Sequence, residues 1–131
     1  MKKILVIYPS WESRSFNGFL KDLEKTRFTN TIIIRKITNH CNETQKQIDK
    51  IIRKCSENDI GLSYVDVNND LIQNWKTIGE YIDSVVCKDD IVTMDITTMS
   101  RNIVWSLLYF LRVKVNTINI IYHQPESYRN E

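Results

Sequence analysis

Two short segments hold most of the candidate chemistry in this 131-residue chain. One is Pro9-Ser10-Trp11-Glu12-Ser13-Arg14-Ser15, the other Asp95-Ile96-Thr97-Thr98-Met99-Ser100-Arg101-Asn102. Each combines hydroxyls, a carboxylate and one arginine just ahead of a helix-like stretch. A guanidinium fork pairs with phosphate through two parallel hydrogen bonds, and a helix start offers unpaired N–H groups and a positive dipole end. Such groups suit an anionic, phosphate-bearing ligand. Arg14 and Arg101 would pair with phosphate, and Ser10, Ser13, Thr97, Thr98 and Ser100 would give hydroxyl and amide contacts. Glu12 could accept from a ribose or base, and Trp11 could stack on a base. Asp95 could instead bond neighbouring loop amides and organise the site. A plainer reading fits the same residues. Ser, Thr and Asp ahead of a helix are ordinary caps, a glutamate beside an arginine makes a surface ion pair, and Trp11 could simply close against the first helix.

The surrounding elements must bring the two segments together. Lys3 to Tyr8 is a short apolar run of β-favouring residues ended by Pro9, which predicts a buried strand. Phe16, Phe19, Leu20 and Leu23 recur with helical period, with Ser13 or Ser15 as a cap. Thr31–Ile37, Leu62–Val67, Ile91–Ile96 and Thr117–Tyr122 predict four further strands, the third nearer an edge. Between them lie a helix capped by Asn42 with Ile48, Ile51, Ile52 and Cys55 inward, and one capped in Asn68–Asp70 with Trp75 in its core stripe. The last helix carries Ile103, Val104, Leu107, Leu108 and Leu111. Strands separated by helices run parallel with right-handed crossovers. The expectation is one α/β domain spanning residues 1–131: a Rossmann-like five-stranded parallel sheet with helices on both faces. Ligands bind such sheets beyond the carboxyl ends of the strands, where the order reverses. If the first and fourth strands are neighbours there, both segments face one crevice.

Composition narrows the classes. The three glycines, Gly18, Gly61 and Gly79, stand far apart, which excludes a Walker A loop and the G-x-G-x-x-G dinucleotide fingerprint. Net charge is +2, from 18 basic and 16 acidic residues, which gives no case for bulk DNA binding. Cys41, Cys55 and Cys87 lack metal-type spacing and suit reduced thiols in a cytoplasmic protein. His40-Cys41 and His123 suggest no ligand set, so neither a metal nor a cofactor is expected. No apolar run reaches the length of a membrane span, and the short run after Met1-Lys2-Lys3 lacks the features of a signal peptide. Tyr122, Pro125 and Tyr128 follow the fifth strand and could line the crevice or form a surface tail.

The second segment, Asp95-Ile96-Thr97-Thr98-Met99-Ser100-Arg101, resembles the strand-four motif of CRISPR-associated Rossmann-fold (CARF) sensor domains. Asp95, Thr97, Ser100 and Arg101 match, while Thr98 and Met99 stand where two glycines are usual, so the ligand or its pose can differ. The resemblance implies a nucleotide-sensing module of antiviral defence that dimerises, binds cyclic or linear oligonucleotides, and works with an effector domain. The chain has no room for an effector, which is expected outside it. A nucleotide-processing enzyme using Glu12 or Asp95, by analogy with TIR-type NAD hydrolases and nucleoside deoxyribosyltransferases, is the alternative, although neither family's motifs occur here. The first loop carries Trp11-Glu12 where a flavodoxin has a Thr/Gly-rich loop, and Pro9-Ser10 lacks the acidic pair of a receiver, although Asp66 lies near the end of the third strand. Trp105, Tyr109 and Phe110 on the last helix suit the core or a dimer face, which predicts a homodimer through that helix.

Overall fold

The computed structural model describes residues 1–38 and 41–124. Among these, strands and helices alternate: β1 (Lys3–Ile7), α1 (Arg14–Lys25), β2 (Asn30–Lys36), α2 (Asn42–Glu57), β3 (Gly61–Val67), α3 (Leu71–Val85), β4 (Ile91–Asp95), α4 (Arg101–Lys114) and β5 (Thr117–Ile121). The five strands form one all-parallel sheet in the order β3-β2-β1-β4-β5, a Rossmann-like α/β fold. β1 lies between β2 and β4, so the strand order reverses there and the crevice of an open α/β sheet falls between the β1 and β4 loops. β3 is an edge strand, as its polar alternation predicts.

Side-chain alternation divides the core. Ile4 and Val6 of β1 pack with Val92 and Met94 of β4 under Ile78, Ile82, Leu107 and Leu111 of α3 and α4. Leu5 and Ile7 point the other way, with Ile33, against Phe19 of α1 and Ile48 and Ile51 of α2. Both faces of the central strands are covered, which is why these strands read as unbroken apolar runs. Asp90 is buried ahead of β4 and accepts from the backbone N–H of Lys2 and of Cys87, both at 2.8 Å, tying the starts of β1 and β4 together.

Several local expectations change. Asp70 caps α3 by accepting from the Gln73 N–H at 3.1 Å. Asn42 is instead the first residue of α2, and Cys41 takes the cap position without a side-chain cap bond, its Sγ sharing a hydrogen bond with Thr44 Oγ1 at 3.2 Å. Trp75 is not core: it is 38% exposed and leans on Tyr109 and Phe110, with ring centroids 4.6 and 4.7 Å away. Trp105 is 64% exposed, so a core role fails for it as well. The hydrophobic period of α3 is right at Ile78 and Ile82, but its first turns run past the edge of the sheet core. Among the described residues, no helix is long and apolar enough to cross a membrane.

Candidate functional site: the crevice between the β1 and β4 loops

The two loops meet through their hydroxyls. Ser15 Oγ accepts from the Ser10 N–H at 2.9 Å and donates to Thr98 Oγ1 at 3.4 Å. Thr98 Oγ1 donates to the Tyr8 carbonyl at 2.6 Å, and Ser10 Oγ accepts from the Glu12 N–H at 3.1 Å. Thr98 therefore spends its hydroxyl on joining two loops, not on capping α4. The resulting open pocket of about 230 Å³ is lined by Tyr8, Pro9, Arg14, Ser15, Asp95, Thr97 and Thr98. Tyr8 and Pro9 form a wall shared with a second open pocket, lined by Arg35 and Lys36 at the end of β2, Thr38 just after it and Thr44 in the first turn of α2.

Arg14 opens α1 and lines the first pocket. Its Nη2 donates to Glu12 Oε2 at 3.3 Å, the ion pair that the plainer reading expects. Its Nε is buried and has no hydrogen-bond partner. Ser13 and Ser100 occupy the N-cap positions of α1 and α4, yet neither side chain makes a cap bond. At α1 the first-turn Phe16 N–H donates to Gln47 Oε1 at 3.1 Å, whereas the start of α4 has no side-chain cap bond.

The floor is a buried polar cluster. Asp95 Oδ1 accepts from the Thr97 N–H at 3.0 Å and from Thr97 Oγ1 at 2.5 Å, so Asp95 does organise the loop. Thr97 Oγ1 in turn accepts from the His123 N–H at 2.9 Å. His123 Nε2 shares a hydrogen bond with Asp22 Oδ1 at 2.7 Å and stands 3.5 Å from Asp95 Oδ2. Burial, followed by the neighbouring Asp95 carboxylate, pushes the Asp22 carboxyl up to about 9. Burial also raises the Tyr8 phenol at the pocket wall.

The structure thus brings Ser10, Glu12, Arg14, Asp95, Thr97 and Thr98 together, with Ser15 added. It leaves others outside. Trp11 is 64% exposed and does not close against α1. Ser13, Ser100 and Arg101 are exposed at the helix starts, and none lines the pocket. Tyr122 is exposed beyond β5. His40, Pro125 and Tyr128 lie outside the described residues. Asp22 and His123 were not recognised in the sequence. The available signal was a carboxylate between Phe19 and Leu23 on the inward side of a helix, one turn after Gly18.

Neither a scan of protein-family models nor a search of curated proteins finds a match to this chain.

Proposed function

We propose that the chain is a nucleotide-sensing module that binds a phosphate-bearing ligand, such as a cyclic or linear oligonucleotide, in the crevice between the β1 and β4 loops. The observation that carries the reading is Arg14: a guanidinium in the pocket wall whose buried Nε–H lacks an acceptor, beside two helix starts without side-chain caps. An incoming phosphate would accept from that N–H and from first-turn amides of α4, since the Phe16 N–H of α1 is taken by Gln47. The second pocket, with Lys36 and Arg35, gives room for a further anionic or sugar portion, although Arg35 is already paired with Asp66 at 2.8 Å. The resemblance of Asp95–Arg101 to CARF sensors supports the same ligand class, a role in antiviral defence, a cytoplasmic location and an effector outside this chain. It also supports a homodimer, for which the exposed aromatic face of α3 and α4 is the contact.

A thermal-shift and calorimetric screen against linear and cyclic oligonucleotides tests the reading, because a ligand that binds only the native state raises its stability. Saturable binding without turnover is expected. Arg14→Ala should weaken it at least about tenfold, the loss of one charge-assisted contact, with an unchanged circular dichroism spectrum. Arg101→Ala should also weaken it if the ligand extends over the start of α4. Unchanged affinity in both variants overturns the assignment. Turnover of NAD or a nucleotide that is lost in Glu12→Gln would instead establish the enzyme.

A further inference from the structure

We propose that Asp22, Asp95 and His123 form a binding site for a first-row divalent metal ion beneath the crevice, with two carboxylates and one imidazole as ligands. The donor atoms come from three elements: α1, the end of β4, and the segment after β5. One ligand atom from each lies within 4.8 Å of the others. Parallel pairing explains the convergence. Asp95 is registered with Ile121, so His123, two residues on, returns to the same sheet face, and α1 covers that face with Asp22 turned inward.

Three observations separate this cluster from a surface group of acids. It is buried: Asp22 is 0% exposed and Asp95 6%. Asp22 Oδ2 is enclosed and meets no donor from another residue; only the carboxyl's own proton, shared with Asp95, can satisfy it, and a bound ion would take that proton's place. Space has also been cleared. Gly18 stands in the interior of α1, where glycine weakens a helix, and a Cβ there would lie 2.9 Å from His123 Cδ2 and 3.6 Å from Asp95 Oδ2.

The geometry suits the chemistry. An ion bound at about 2.0–2.2 Å to each ligand needs ligand atoms about 2.8–3.6 Å apart for angles between octahedral and tetrahedral. His123 Nε2 stands 2.7 and 3.5 Å from the two carboxylate oxygens, close to that range, and all three ligand atoms lie within 4.8 Å of one another. Two carboxylates balance a divalent charge, and one imidazole favours zinc- or manganese-type ions over calcium. The Thr97 N–H and hydroxyl already hold Asp95 Oδ1, the kind of outer support that orients a ligating carboxylate. Asp95 also lines the crevice, which gives the ion an entry path and leaves open positions facing any ligand there.

The site stands apart from the nucleotide reading, because it is tested with metal alone. The full chain, stripped with a chelator, is titrated calorimetrically with Zn²⁺ and separately with Mn²⁺, and Co²⁺ absorption reports the ligand set. One ion per protomer, a raised melting temperature and a visible Co²⁺ band are expected. Asp22→Asn and His123→Ala should each weaken binding tenfold or more. Where His123→Ala does not fold, the near-isosteric Asp22→Asn carries the test. Failure of both Zn²⁺ and Mn²⁺ to bind, or parental affinity in Asp22→Asn, overturns the site and leaves a hydrogen-bonded staple.

Discussion

At the scale of single residues, Asp22 is the most unusual group in the molecule. It sits on the inward face of α1 with His123, Asp95 and Lys25 around it. Burial favours its neutral form and the Asp95 charge adds to that, so it holds its proton up to about 9, against 3.8 in the open chain. The sign of the consequence follows from proton counting. Between those two values the folded protein holds a proton that the unfolded chain has released, so stability falls as pH rises across the window. It is fully present below about 4 and lost on passing through about 9. Urea unfolding at several pH values between 5 and 9, with a chelator present, checks this. The difference in stability between Asp22→Asn and the parent should shift in the variant's favour as pH rises. A difference that stays constant across the range contradicts the assignment.

At the scale of elements, Gly18 shows how α1 is fitted to the floor of the crevice. An alanine there would gain about 1 kcal/mol of helix propensity. It would also push a methyl group to 2.9 Å from His123 Cδ2, and His123 is held by Asp22 through its ring and by Thr97 through its backbone. Overfilling a packed site costs about 1–3 kcal/mol, so Gly18→Ala should destabilise the protein, as a shift in the denaturation midpoint would show. A stabilised variant would mean that His123 swings aside freely. The same residues explain what could be read from the sequence. Ile4–Ile7 and Ile32–Ile34 are buried on both faces, and a strand in that setting is apolar at every position, so the strands and the fold class were legible, while their order in the sheet was not. That the two serine- and threonine-rich loops share one end of the sheet was legible, because parallel strands carry both there; that they meet depends on β1 lying beside β4, which the structure supplies. The Asp22–His123 pair was not, since it joins residues 101 positions apart through the register of β4 with β5. Trp75 and Trp105 misled for a different reason: helical period locates a stripe, not how far the core extends beneath it.

At the scale of the whole molecule, α3 and α4 present an apolar surface that the fold itself does not cover. Trp105, Tyr109 and Val113 repeat every four residues along the outside of α4, and Ile72 and Trp75 lie a turn apart on α3. The Trp75–Tyr109 ring contact at 4.6 Å joins the two rows, and Arg112 lies over the Tyr109 ring at 5.0 Å. Contiguous exposed apolar side chains of this kind mark interaction surfaces, and tryptophan, tyrosine and arginine are the types enriched among residues that dominate association. A second copy is the proposed occupant, packed about a two-fold axis so that the same patch serves both protomers. Sedimentation at high micromolar concentration should therefore show a dimer. Trp105→Glu places a charge in the centre of that contact and should weaken dimerisation at least about thirtyfold, the equivalent of about 2 kcal/mol for a dominant interface residue. The variant should keep its melting temperature at low concentration, because Trp105 is 64% exposed in the protomer and contributes little to its core. A parent chain that sediments as a monomer, or a Trp105→Glu variant that remains dimeric, rules out this face as the contact.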